Sequence, residues 1–215
     1  GLTATPDRTD QADILALCDN NLVISKDLFT GIANELLCPF RYYGIGDESV
    51  DYSNIPWRNG RFDPNSLEHA LATHARARHI LQTWLSRKLT RTLAFCASHK
   101  HADYMAEYFN RYGHRAVSVH SESPIRRATA LEQLRNQEID VIFSVDLFNE
   151  GVDLPRIDTV LMIRPTDSKI IFLQQLGRGL RQSIESGKEH LVVLDFIGNH
   201  LSFFRKAEAL FGLDG

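Results

Sequence analysis

The sequence predicts an α/β protein built on a doubly wound parallel sheet flanked by helices. Three observations carry that expectation. From residue 89 onward, short apolar runs such as "RTLAFCAS", "DVIFSVD", "TVLMIRP" and "HLVVLDFIG" lack the polar alternation of a half-exposed strand, so each suits burial on both faces. Segments with helical periodicity separate these runs. Helical crossovers between parallel strands are right-handed, which distributes helices over both faces of one sheet.

The first 88 residues are the least sharply patterned. "DLFTGIANELL" reads as a helix, "FRYYGIG" as a strand, and "SLEHALATHARARHILQTWLSRKL" as one long helix. Between the last two, "GDESVDYSNIPWRNGRFDPN" is rich in turn formers and reads as an ordered surface loop. Tyr42, Tyr43 and Trp57 are read as packing residues.

After the strand "RTLAFCAS" comes "HKHADYMAEYFNRYG", in which Ala102, Met105, Ala106 and Phe109 recur at helical spacing. "RAVSVHS" reads as the next strand. "SPIRRATALEQLRNQEI" reads as a helix capped by Ser123, with Pro124 at its first position. The strands "DVIFSVD" and "TVLMIRP" precede the helix "KIIFLQQLGRGLRQ". The strand "HLVVLDFIG" and the helix "HLSFFRKAEALFG" complete the chain. Ligands of such sheets gather at the carboxyl ends of the strands, here the loops after Ala97, Ser121, Val145 and Pro165.

Composition narrows the chemistry. A formal net charge of −3 over 215 residues excludes a protein that holds nucleic acid by bulk positive charge. Any such contact must come from a few side chains, backbone N–H groups and helix N-termini. No apolar run approaches the ~20 residues that span a bilayer, so no membrane partner is expected. Cys18, Cys38 and Cys96 form no CxxC pair, and free thiols in a reducing cytoplasm are the expectation. His99 and His101 are not spaced to converge on a metal, and no metal site is expected.

In chain order, "GLTATPDR", "TLAFCASHKHADYMAEYF", "SVDLFNEGVDLP" and "QQLGRGLR" resemble motifs III to VI of superfamily 2 helicases. Their spacing resembles that of the second RecA-like motor domain of bacterial DNA helicases and restriction-type translocases. The resemblance covers nearly the whole chain, least distinctly over residues 11–88. The glycine-rich phosphate loop and the acidic metal-binding motif of that superfamily, which hold the triphosphate and its Mg²⁺, do not occur in these residues. The resemblance places them on a first RecA-like domain, the expected partner within the same polypeptide. Residues 1–10 are then a trailing stub of that first domain, opening on "GLTATP" without a starting Met as a cut inside a larger protein would. Residues 11–88 are a helical and loop connecting region packing on the second domain, and residues 89–215 are the second RecA-like domain.

The resemblance also implies roles. Arg178 and Arg181, three apart on a helix and so on one face, match the arginine fingers that reach the γ-phosphate of ATP. Gln174, Gly151, Asp153 and Gly177 match positions near the nucleotide, and Gly177 and Gly179 would admit a neighbouring backbone or ligand. Ser98, His120, Ser121 and Arg127 match nucleic-acid backbone contacts, and the hydroxyl of Ser144 is placed to reach a DNA phosphate. Thr3 and Thr5 match the motif that couples nucleotide state to the nucleic-acid site. The expected function is the C-terminal motor domain of an ATP-dependent DNA helicase or translocase, unable to turn over ATP by itself. A non-catalytic nucleic-acid or partner-binding module of the same fold, and a motor acting on RNA, are the alternatives.

Overall fold

In the computed structural model, residues 28–47, 50–58, 61–145, 156–165, 176–177, 179–183, 185 and 187–197 are described. Along the chain these form α1 (Leu28–Ala33), β1 (Phe40–Gly46), a single 3-10 turn (Tyr52–Asn54), and the short strands β2 (Trp57–Arg58) and β3 (Arg61–Phe62). Then follow α2 (Pro64–Leu71), α3 (His74–Arg87), β4 (Thr92–Phe95), α4 (His99–Arg111), β5 (Ala116–Val119) and α5 (Arg127–Arg135). The last strands are β6 (Val141–Ser144), β7 (Thr159–Met162) and β8 (Leu191–Ile197). Six of the strands make one sheet in the order β1-β8-β7-β4-β6-β5, parallel at every pairing. This is the open parallel sheet that the apolar runs predicted.

The inner strands are mostly apolar, as burial on both faces requires. Every residue of β4, β6 and β7 is buried. Successive side chains of a strand point to opposite faces, so each strand feeds two cores. Ala94, Phe143, Leu161 and Leu194 pack with Ile80, Trp84, Met105 and Phe109 of α3 and α4. Leu93, Ile142, Val160 and Val193 pack on the other side with Ala130 and Leu134 of α5 and with Leu176 and Leu180.

The strand read at "FRYYGIG" is present as the edge strand of the sheet, running from Phe40 opposite Leu191 to Gly46 opposite Ile197. The backbone N–H groups of Thr90 and Arg91 donate to the Asp158 carboxylate, and that of Leu89 to the Thr159 hydroxyl. Several other local expectations are corrected. The long helix expected over 66–89 is two helices. Thr73 interrupts it and accepts from the Arg76 N–H at 3.3 Å, an N-cap that offers the backbone an alternative to continuing. Asp63 caps α2 in the same way, accepting from Ser66.

Helix α5 starts at Arg127 rather than at Pro124. Ser123 Oγ instead accepts from the His120 N–H at 3.0 Å and donates to the His120 carbonyl at 2.9 Å, closing a turn. Among the described residues of the loop over 46–65, Val50, Tyr52 and Ile55 pack in a small cluster with Leu67 and Leu71 of α2. Tyr42 donates to Asp195 at 2.7 Å, and Tyr43 packs beneath the Arg87 guanidinium. The Trp57 side chain, the stub with Thr3 and Thr5, and the final helix "HLSFFRKAEALFG" lie outside the described residues.

Candidate functional site

Parallel strands send their carboxyl ends to one edge, and that edge collects the residues matched to nucleic-acid contact. Ser98 follows β4 and caps α4, accepting from the His101 N–H at 3.1 Å. His120 and Ser121 follow β5, the first buried and the second exposed. The His120 ring stacks on His99, with centroids 4.3 Å apart and planes 13° from parallel. Its Nε2 is 3.0 Å from Asp103 Oδ1, which also accepts from the Ser118 hydroxyl. Partial burial works against the Asp103 charge, but the hydrogen bonds from Ser118 and His120 hold its carboxyl below the usual range.

Arg127 is exposed at the start of α5. Ser144, the last residue of β6, is wholly buried, and its Oγ has no hydrogen-bond partner among the described residues. Its hydroxyl thus lies beneath the edge rather than on it.

Under this edge sits a charged network that the sequence reading missed. Arg76 and Asp47 are buried together, with Nε to Oδ2 at 2.6 Å. Arg76 Nη2 donates to the Ile163 carbonyl at 2.9 Å, and Nη1 lies 3.4 Å from His101 Nε2. One guanidinium therefore ties the ends of β1 and β7 to the first turn of α4. Complete burial, reinforced by the Arg76 charge, pushes the His101 pKa down to about 3, so its ring is neutral in the fold. The signal was in the sequence: Arg76 stands four and eight residues before Ile80 and Trp84, on the apolar stripe of its helix.

The opposite end of the sheet carries Arg181. Leu37 and Cys38 precede β1 and Lys188 precedes β8, and all three touch this segment. Arg181 is exposed. It is not on a helix: residues 176, 177 and 179 are helical, and Arg181 pairs across an isolated antiparallel bridge with Leu37. The expected sharing of one helical face with Arg178 therefore does not apply, because the chain leaves the helix after Gly179. Arg178 itself, with Gln174, Gly151 and Asp153, lies outside the described residues.

The two glycines divide. A Cβ on Gly177 would meet nothing within 4 Å, whereas one on Gly179 would fall 2.4 Å from Leu191 Cδ1. Gly179 is thus required by packing inside the domain, not by an approaching ligand. Among the described residues no cluster of His, Cys, Asp or Glu could hold a metal, and no helix is long and apolar enough to cross a membrane.

Fold and motifs together match the helicase conserved C-terminal domain family over residues 75–183, about half of the chain. The chain belongs to that family, and the resemblance to superfamily 2 helicases is borne out. Among curated relatives it is 29% identical over 203 residues to the Saccharomyces cerevisiae protein named "Putative ATP-dependent helicase IRC3", covering 92% of this chain and 29% of that protein. It is 37% identical over 95 residues to UvrABC system protein B of Fervidobacterium nodosum, covering 41% of this chain and 14% of that one. Among solved structures, the fragment of a "putative HsdR subunit of a type I restriction enzyme" from Vibrio vulnificus YJ016 aligns with a TM-score of 0.71 at 24% identity. That alignment spans 94% of this chain and 40% of that one, a likeness of fold. The chain spans under a third of either curated relative.

Proposed function

We propose that this chain is the second motor domain of an ATP-dependent DNA helicase or translocase, completed by a companion RecA-like domain. The observation that carries the reading is the separation of two kinds of residue within a helicase C-terminal fold. Ser98, His120 and Ser121 stand at the carboxyl edge of the sheet. An exposed guanidinium, Arg181, stands at the other end.

At the carboxyl edge, the N-terminal turn of α4 and the polar side chains of Ser98, Ser121 and Arg127 suit a sugar–phosphate backbone. Ser144 joins this set only if its buried hydroxyl becomes exposed. At the other end, Arg181 carries a permanently charged, planar donor fork that suits phosphate oxygens, and Arg178 is proposed as the second finger. A Cβ on Gly177 would meet nothing within 4 Å, in keeping with a close approach by another domain or its ligand there. Gln174, Gly151 and Asp153 complete the proposed nucleotide contacts, and Thr3 and Thr5 the coupling between sites. ATP supplies the free energy of phosphoryl transfer, with Mg²⁺ neutralising its phosphates on the companion domain. This chain holds the γ-phosphate charge and grips one strand, and by itself it is expected not to hydrolyse ATP.

The test is Arg181→Ala in the intact enzyme. Its ATPase rate should fall by about 10³ or more while affinity for single-stranded DNA stays near normal. Near-normal turnover would exclude Arg181 as a finger. Stimulation of the wild-type ATPase by single-stranded DNA over RNA of equal length is expected, and the reverse preference would reassign the track.

A further inference from the structure

The segment that carries Arg181 is held more firmly than its surface position requires. A helix end leaves its last carbonyls without intrahelical donors, yet three successive carbonyls here are all bound. Lys188 Nζ donates to the Gly179 carbonyl, which also receives the Cys38 thiol at 3.6 Å. The Cys38 backbone N–H donates to the Leu180 carbonyl at 2.7 Å. Lys188 Nζ donates again, to the Arg181 carbonyl, at 2.9 Å.

One residue further on, Gln182 Nε2 donates to the Glu35 carbonyl at 2.7 Å, and Leu176 and Leu180 are sunk in the core beneath. Every one of these partners comes either from the 35–38 strap before β1 or from the residue three before β8. The half-buried Lys188 ammonium is costly to place there. Burial lowers its pKa, opposed by its interactions with Cys38 and Asp158. A cation at a helix carboxyl terminus also meets the negative end of the helix dipole, so charge and geometry agree in this one position.

We propose that Lys188, acting with the strap Glu35–Cys38, is a positioning residue for Arg181: it fixes the backbone from which that guanidinium reaches phosphate. The inference rests on the arginine-finger reading above and adds to it the device that aims the finger. A side chain as long as arginine reaches a transferring phosphoryl group in one geometry only if its own backbone does not move. A misplacement of about 1 Å at a catalytic group can cost on the order of 10²-fold in rate.

The experiment is a double-mutant cycle in the intact enzyme with Lys188→Met and Arg181→Ala, read as steady-state ATPase, DNA affinity and thermal midpoint. In the parent, Lys188→Met should lower kcat by about 10- to 100-fold while KM for ATP moves less than about threefold, as expected when an interaction realised in the transition state is lost. In the Arg181→Ala background it should cost nothing further, because the residue it acts through is gone. An unchanged kcat in the parent, or an equal loss in both backgrounds, overturns the positioning role while leaving the finger intact. Near-normal turnover of Arg181→Ala itself overturns both. Should Lys188→Met lower the thermal midpoint below the assay temperature, Gln182→Ala probes the same strap from an exposed position. It should show a smaller kcat loss that again vanishes without Arg181, and a wild-type kcat there overturns the proposal.

Discussion

Replacing Arg76 by methionine tests the buried network most directly. Arg76 and Asp47 have no exposed side-chain surface, so the substitution leaves a carboxylate in the interior without its cation at 2.6 Å. It also removes the 2.9 Å donor to the Ile163 carbonyl. Breaking one half of a buried pair costs about 3–5 kcal/mol, because the other charge stays desolvated. Against a total stability of roughly 5–15 kcal/mol that is a large fraction. At about 2–4 °C per kcal/mol for a domain of this size, the melting midpoint should fall by about 10 °C.

Differential scanning calorimetry or urea unfolding measures the loss. A second variant separates charge from packing: Arg76→Met combined with Asp47→Leu removes both charges and should recover much of the stability, since an apolar replacement of a whole buried pair is often close to neutral. A loss below about 1 kcal/mol for Arg76→Met alone, the range of a solvated surface pair, would refute the claim that this pair is sealed from water. Failure of the double variant to recover anything would refute the claim that the stranded charge, rather than lost packing, is what destabilises.

Two further outcomes follow from single residues. His101 is neutral in the fold, with a pKa pushed to about 3, while in the unfolded chain it binds a proton near pH 6.5. Between those values the unfolded state holds more protons, so stability should decline as pH drops below about 6.5, at up to about 1.4 kcal/mol per pH unit. His101→Asn should flatten that decline between about pH 6.5 and 5, above the range where carboxylates titrate; an unaltered slope in urea titrations across this window would contradict the assignment. Gly179→Ala forces a methyl group to within 2.4 Å of Leu191 Cδ1 and should cost about 1–3 kcal/mol by overpacking. Gly177→Ala, with open space at the same point, should be neutral or slightly stabilising by helix propensity, and equal losses at the two sites would contradict this packing account.

What the linear chain determined was the local grammar. Runs such as "TLAF", "VIFS" and "TVLM", short, unalternating and separated by helical segments, read as strands buried on both faces, and they are. The order of motifs along the chain was enough to name the family to which residues 75–183 belong, and the fold agrees. Tertiary structure decided what depends on residues far apart in sequence. "FRYYGIG" became a sheet edge because β8, some 150 residues later, supplied its ladder. Ser144 is buried at the end of an inner strand, flanked in the sheet by Phe95 of β4 and Val119 of β5.

Arg181 left the helix that its spacing suggested. The strap at 35–38 and Lys188 offered its backbone better partners than another helical turn would. Arg76 was legible as a cation on an apolar stripe, but its counter-charge lay 29 residues away in a turn-rich loop, and only folding brought the two together. Periodicity is a property of neighbours in sequence, so it survives in the one-dimensional text. The pairing of a buried charge, or of a helix end with its donors, is a property of neighbours in space, and those are chosen by the packing of the whole.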